Sequence, residues 1–202
     1  MNSAWRNPVL FAALVLLGGM YVLAFVFFRA ESHDFIAMRQ NHAALERAAR
    51  RTIEAPATLK LVAGSADAML LGNGWYEASP HGTWSSMRDS WIALGLRPAD
   101  TGVAVTLNAI AFVARHHKRV VISADVDGNL LGKWLRDQGN SAEALAFCIP
   151  PQLARKGNPL LHLQVEPIAS PLQANAGPDS QRLGLLLSSI DLHAGCERKS
   201  QQ

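Results

Sequence analysis

The chain has 202 residues, 49 % of them hydrophobic and 17 % charged, and a formal net charge of +3, a length that suits one domain with an appendage. Residues 1–56 carry six Lys/Arg against four acids and residues 57–202 thirteen against twelve, with no basic stripe and no aromatic–basic alternation. That balance excludes a nucleic-acid partner, which needs a concentrated basic surface.

The first element runs from Pro8 to Phe28, PVLFAALVLLGGMYVLAFVFF, 21 residues without a charge. As a helix it would cover about 30 Å, the hydrocarbon thickness of a bilayer. A cleaved signal peptide is the competing reading, but its apolar stretch is shorter and ends in small residues. Here Phe27, Phe28 and Arg29 hold that place, so an uncleaved membrane anchor is expected over 1–29. Arg6 flanks one side and Arg29 and Arg39 the other, so flanking charge does not set the orientation.

Ala30 to Ile53 lacks Gly and Pro and is rich in Ala, Arg, Glu and Met, which predicts a helical stalk over 30–56. Phe35, Met38, His42, Leu45, Ala49 and Thr52 recur at spacings of three and four, a seam through which two copies could self-associate. Pro56 is expected to end the helix.

From Thr58 onward short apolar runs are punctuated by Gly, Pro, Asn and Asp. Strands are predicted at Leu59–Ala63, Gly74–Ala78, Thr83–Ser86, Ser90–Leu96, Val103–Ala114, Arg119–Val126, Ala144–Ile149, Leu160–Glu166 and Leu183–Leu192. Val120, Ile122, Ala124 and Val126 alternate with polar residues, as do Leu161, Leu163 and Val165. Half-buried antiparallel strands read this way. Asp127-Gly128-Asn129 predicts a hairpin turn, and Pro151–Lys156 a short helix. The fold class is therefore all-β, an antiparallel, jelly-roll-like β-sandwich over 57–194, preceded by one transmembrane helix and a short helical stalk and followed by a polar tail at 195–202. Two runs break phase. Val103, Val105 and Leu107 oppose Ile110 and Phe112, and Leu183, Leu185 and Leu187 oppose Ile190 and Leu192. A β-bulge, near Asn108 in the first case, would reconcile each by flipping the side chains that follow.

Few residues carry chemistry. No hydrolase elbow, zinc motif, phosphate loop or dinucleotide fingerprint is present, so no catalysis, metal or cofactor is expected. His116 and His117 are adjacent, cannot chelate one metal from a strand, and predict a polar loop with Lys118 and Arg119. Asp125-Val126-Asp127-Gly128-Asn129 has oxygens at alternate positions but lacks the later glutamate of a calcium loop. Cys148 and Cys196 could pair in an oxidising compartment, or remain one buried thiol and one thiol in a loose tail.

The densest cluster is Gly74 to Ser86, GWYEASPHGTWSS. Trp75, Tyr76, Glu77, His81 and Trp84 combine flat apolar rings with hydrogen-bonding groups, as sugar recognition requires. Alternation puts Trp75 and Glu77 on one face and Tyr76 on the other, and Trp84 and Trp91 read equally well as core. This segment resembles the opening motif of a β-sandwich accessory domain appended to bacterial membrane phosphoglycerol transferases and polysaccharide glycosyltransferases. Ser170-Pro171 with DSQRLGLLLSSI at 179–190 resembles its closing element, and VVISADVDG at 120–128 its middle strand and turn. The resemblance implies a non-catalytic domain in the periplasm, held by a single pass in the bacterial inner membrane, that binds glycan or organises envelope glycan synthesis. Its partner would be an envelope glycan or a membrane glycan-synthesis protein. A structural subunit that binds protein and no sugar is the alternative. In the closing element Arg182 is expected to be buried against Asp179, and Gly184 to mark a bulge or a close backbone approach.

Overall fold

Apolar–polar alternation makes strands that bury one face, and the computed structural model has nine of them among the residues it describes, which are the backbone of 8–196 and the side chains of 11–26 and 35–196. They are β1 (Ala57–Lys60), β2 (Thr83–Trp84), β3 (Asp89–Ala93), β4 (Val103–Ala111), β5 (Val120–Val126), β6 (Asn129–Arg136), β7 (Leu145–Ile149), β8 (Leu160–Glu166) and β9 (Leu185–Ala194). One sheet has the order β1-β9-β4-β7, with β2 also paired to β9, and the other has the order β3-β8-β5-β6. Every ladder is antiparallel. Counting β1 and β2 as one edge, this is the strand order of a jelly roll, two interleaved Greek keys. The inward residues, among them Leu107, Ile122, Leu145, Leu161, Leu163 and Leu187, are fully buried and form a single core.

Four departures from the sequence reading have local causes. Strand β6 was not among the expected strands, because its ladder to β5 shifts register between Ala124 and Asp125 and leaves Leu131 without an opposite residue. That irregularity erases the alternation by which a strand is read. Residues 74–78 form single bridges, Trp75 to Ser85 and then Ser79 to Gly82, in place of a ladder. The expected strand over 103–114 stops at Ala111, because Ala114 and His117 close a tight turn. The expected strand over 90–96 stops at Ala93, and Ile53 then bridges to Leu96.

The bulge predicted near Asn108 is on the partner strand. Opposite the Asn108–Ala109 step the register jumps from Ser189 to Leu187, so the extra residue is Ser188 of β9. The last strand changes phase there as expected: Leu185 and Leu187 are buried before it, and Ile190 and Leu192 after it. β4 has no extra residue and keeps one phase throughout. Ile110 and Phe112 therefore lie on the outer face, Ile110 being 45 % exposed.

The chain divides into two compact units, residues 1–39 and 40–202. Helix α1 (Pro8–Ala49) runs through the first and into the second. In the first unit every described side chain of the apolar run, residues 11–26, is exposed. Among the described residues no helix is long and apolar enough to cross a membrane, and the side chains of 8–10 and 27–28 lie outside that set. The described residues therefore do not by themselves establish the spanning helix expected over Pro8–Phe28.

The second unit begins at Gln40, ahead of the expected domain start at 57. Ala44 and Ala48 are completely buried there, and the Asn41 carboxamide oxygen accepts from Asn73 N–H at 2.8 Å. The small alanines let the helix close on Gly95, where an added Cβ would stand 3.1 Å from the Ala48 carbonyl. The packed stripe is thus Asn41, Ala44, Leu45 and Ala48, while Phe35, Met38, His42 and Ala49 of the expected seam are exposed in the single chain. The helix also ends before Pro56, because Ile53 N–H has left it to bond the Gly95 carbonyl.

Cys148 of β7 and Cys196 beyond β9 form a disulfide with their Cα atoms 5.7 Å apart. The short helix α2 (Pro151–Ala154) stands where it was predicted. Of the polar tail, residues 197–202 lie outside the described set.

Candidate functional site

The Gly74–Ser86 cluster folds as a hairpin with Pro80 and His81 at its tip. Ser79 and Gly82 exchange backbone hydrogen bonds, and the Ser79 hydroxyl donates to the Gly82 carbonyl at 2.7 Å. Gly82 is required: its φ is +140°, and an added Cβ would lie 2.7 Å from the Leu187 carbonyl.

The Trp75–Ser85 bridge, flanked by hydrogen bonds from Ser86 N–H to Gly74 O and from Tyr76 N–H to Trp84 O, fixes which side chains share a face. Trp75 turns inward, packs on the core and donates its indole N–H to the Trp91 carbonyl at 2.9 Å. Tyr76 and Trp84 turn outward, opposite each other. Trp84 is paired with Leu186, and Leu186 with Ile110. The result is a row, Tyr76–Trp84–Leu186–Ile110, across the outer face of the β9-centred sheet, about 14 Å long at the usual strand spacing. Phe112 meets the Trp84 ring edge-on at 6.3 Å and stacks on His117 at 5.7 Å. His117 is buried, and desolvation holds its imidazole below the usual range while a hydrogen bond to the Pro167 backbone pulls the other way.

Beside this apolar row lie polar ones. Asn108 donates to the Ser189 hydroxyl at 2.9 Å and to Asp191 Oδ2 at 2.7 Å. Thr58 donates to Asp191 Oδ1 at 2.6 Å, and Thr106 stands opposite Asp191. The arrangement is a flat apolar shelf with fixed donors and acceptors along one side. It can stack a ring face and hydrogen-bond its rim.

Of the predicted residues, the fold brings Tyr76 and Trp84 together and separates Trp75 from them. Glu77 and His81 are exposed near the hairpin tip, and neither side chain has a partner among the described residues. Asn108, Ile110, Phe112, Asp191 and Thr58 were missed. Unbroken alternation through 103–111 was the available signal, and the two apolar residues at 110 and 112 obscured it.

Arg182 is exposed and makes no ion pair with Asp179, whose carboxylate accepts from Gln181 N–H at 2.8 Å. The expected buried pair is therefore absent, and Arg182 instead lines a cleft of about 400 Å³ with Arg88, Glu166 and Pro167. Gly184 does mark a close approach, since an added Cβ would lie 2.5 Å from Ser85 Oγ.

The outer face of the other sheet carries a second polar group. Trp91 stacks on His162 with centroids 4.6 Å apart. His162 meets Asp125 through Nδ1 at 2.7 Å and Asp89 through Nε2 at 3.0 Å. Both ring nitrogens face carboxylates, so neither is free to activate a nucleophile. The three residues brace β3, β8 and β5 across the sheet. The Asp127-Gly128 hairpin is as predicted, with φ of 52° and 75°, and Asp125, one of the oxygens of the supposed calcium fragment, is committed to His162.

No protein-family model matches the chain, and no curated protein matches it. The likeness to the phosphoglycerol-transferase accessory domain gains no support from either. Among solved structures, a β-glucosidase from Paenibacillus barengoltzii superposes on 70 % of this chain at 12 % identity and a TM-score of 0.31, over only 11 % of its own length. A xylan-binding module of type CBM15 superposes on 69 % of this chain and 97 % of itself, at 6 % identity and a TM-score of 0.33. A CBM35 module in complex with a glucuronic acid-containing disaccharide superposes on 62 % of this chain and 76 % of itself, at 13 % identity and a TM-score of 0.30. These are loose likenesses, and none of them passes a substrate to this chain.

Proposed function

We propose that this chain is a membrane-tethered, non-catalytic glycan-binding protein whose site is the Tyr76–Trp84 shelf. One observation carries the reading: two half-buried aromatic residues, Tyr76 and Trp84, are cross-strand neighbours on an outer sheet face, next to hydrogen-bonding side chains already held in place by one another. Preorganised polar groups beside a flat ring lower the ordering cost of binding a flexible ligand. The 21-residue uncharged run supports a tether in the bacterial inner membrane. The Cys148–Cys196 disulfide supports a periplasmic position for the sandwich, since such bonds persist in oxidising compartments. The resemblance to accessory domains of envelope glycan synthesis points the same way.

The test is calorimetric titration of the full chain, in detergent, with envelope oligosaccharides, repeated on Trp84→Ala and Tyr76→Ala with a melting curve for each. Loss of an engaged stacking ring should cost about 2 kcal/mol, roughly thirtyfold in affinity. Undiminished binding by both folded variants would remove the shelf from the site.

A protein partner is the second reading, and the aliphatic half of the row favours it. Ile110 is 45 % exposed and, with Leu186, offers no ring to a sugar. A parent chain that binds no glycan but is captured in a complex lost on Ile110→Asp would establish that reading instead.

A further inference from the structure

The Ala114–His117 turn holds Arg115 and His116 at its tip, closed by reciprocal backbone hydrogen bonds of 2.8 and 3.0 Å. Lys118 and Arg119 follow directly, before β5 begins. The pairing of Val120 with Arg136 brings this turn beside the loop that leaves β6. Between the two lies a cleft of about 360 Å³, lined by Arg115, Lys118, Arg119, Asp137, Gln138 and Gly139.

This cleft gathers three exposed cations within five residues. Several other cations of the second unit sit on carboxylates, as in Arg51–Asp67, Arg97–Glu54, Arg155–Asp100 and Lys156–Asp127. Arg115, Lys118 and Arg119 have no such partner among the described residues, and all three are exposed. The single acid present, Asp137, accepts from Gly139 N–H at 2.9 Å and pairs with none of them. Three like charges within five residues repel one another, an arrangement that a ligand of opposite charge would relieve. On the shelf side the ring contacts run from Trp84 to Phe112 to His117, and Lys118 is the next residue in sequence.

We propose that this cleft binds the acidic group of an anionic glycan, a uronate carboxylate, whose neighbouring rings lie on the Tyr76–Trp84 shelf. The proposal rests on the glycan-binding reading above and names the class of sugar. Guanidinium groups take carboxylates through paired, charge-assisted hydrogen bonds.

The test is titration of the full chain, in detergent, with oligogalacturonate and with maltohexaose of equal length, at low and high salt. The parent should bind the acidic sugar at least about tenfold more tightly, as charged hydrogen bonds imply, and the preference should shrink with salt. In R115Q/K118Q/R119Q, or in the single charge reversal K118E, the ratio of the two affinities should fall towards one. A parent that binds both sugars equally, or a folded triple variant that keeps its preference, overturns the anionic assignment and leaves the shelf reading standing. A parent that binds neither sugar overturns both. Binding only to vesicles of anionic lipid, lost in the triple variant, assigns the cleft to a membrane surface and overturns the glycan proposal.

Discussion

Substituting both cysteines, C148A/C196A, tests the cross-link with a magnitude set by topology. The disulfide closes a loop of 48 residues, and the chain-entropy relation then assigns it about 4 kcal/mol of unfolded-state restriction at 25 °C. The native end of β9 keeps other ties without it, since Gly195 N–H donates to Gly102 O at 2.7 Å and Ala104 N–H to Gly195 O at 3.2 Å. The loss should therefore come mainly from the freed unfolded chain and leave the fold intact. For a protein of this size, about 4 kcal/mol corresponds to a drop in Tm of roughly 8–16 °C. Urea unfolding of the full chain in detergent, followed by tryptophan fluorescence, should show a lower midpoint in the double variant. Reducing agent should move the parent midpoint in the same direction and leave the variant unchanged. Coincident midpoints for parent and variant would refute the reasoning.

Gly184→Ala places a Cβ 2.5 Å from Ser85 Oγ, 3.1 Å from Ile168 and 3.2 Å from Val165; overpacking of this kind costs about 1–3 kcal/mol. A melting curve should show the loss, and adding Ser85→Ala should not restore it fully, because that hydroxyl also accepts from Leu185 N–H at 2.8 Å. Burial holds His117 below its unfolded value of 6.5, so as pH falls below that value the unfolded chain takes up a proton that the folded chain refuses. Stability should then fall from pH 7 to pH 5, and His117→Phe, which keeps a ring against Phe112, should flatten that stretch of the curve; an unchanged slope would show that other groups carry it.

The sandwich was legible because its central strands alternate without interruption: β5 and β8 read from sequence as they stand in the structure. The hairpin at Asp127-Gly128 was legible for a local reason, since two adjacent positions of positive φ call for those residues. The shelf was half legible. Alternation alone separates Tyr76 from Trp75, but it cannot say which of the two faces is wet, because that depends on what packs above each. Ile110 and Phe112 were misplaced because an apolar residue on an outer face looks like a core residue whose phase has slipped. Only the location of the extra residue, Ser188 on the partner strand, separates those two cases. The cationic cleft was least legible. It needs the contact between the β4–β5 turn and the β6–β7 loop, and no run of sequence contains both.

The place of β9 in its sheet bears on when this protein can fold. It lies between β4 on one side and β1 and β2 on the other, so Thr58 waits for Asp191, 133 residues further along. In the second sheet the strand partner of β3 is β8, although Ile92 also bridges back to Leu71. A chain emerging from its amino end can therefore complete neither sheet early, and long-range pairings of this kind also form slowly. Until β9 arrives, β1 and β2 have no strand partner and the first sheet lacks the strand that joins them to β4. The Cys148–Cys196 disulfide, which ties β7 to the residue just beyond β9, can form only once that last strand has been made.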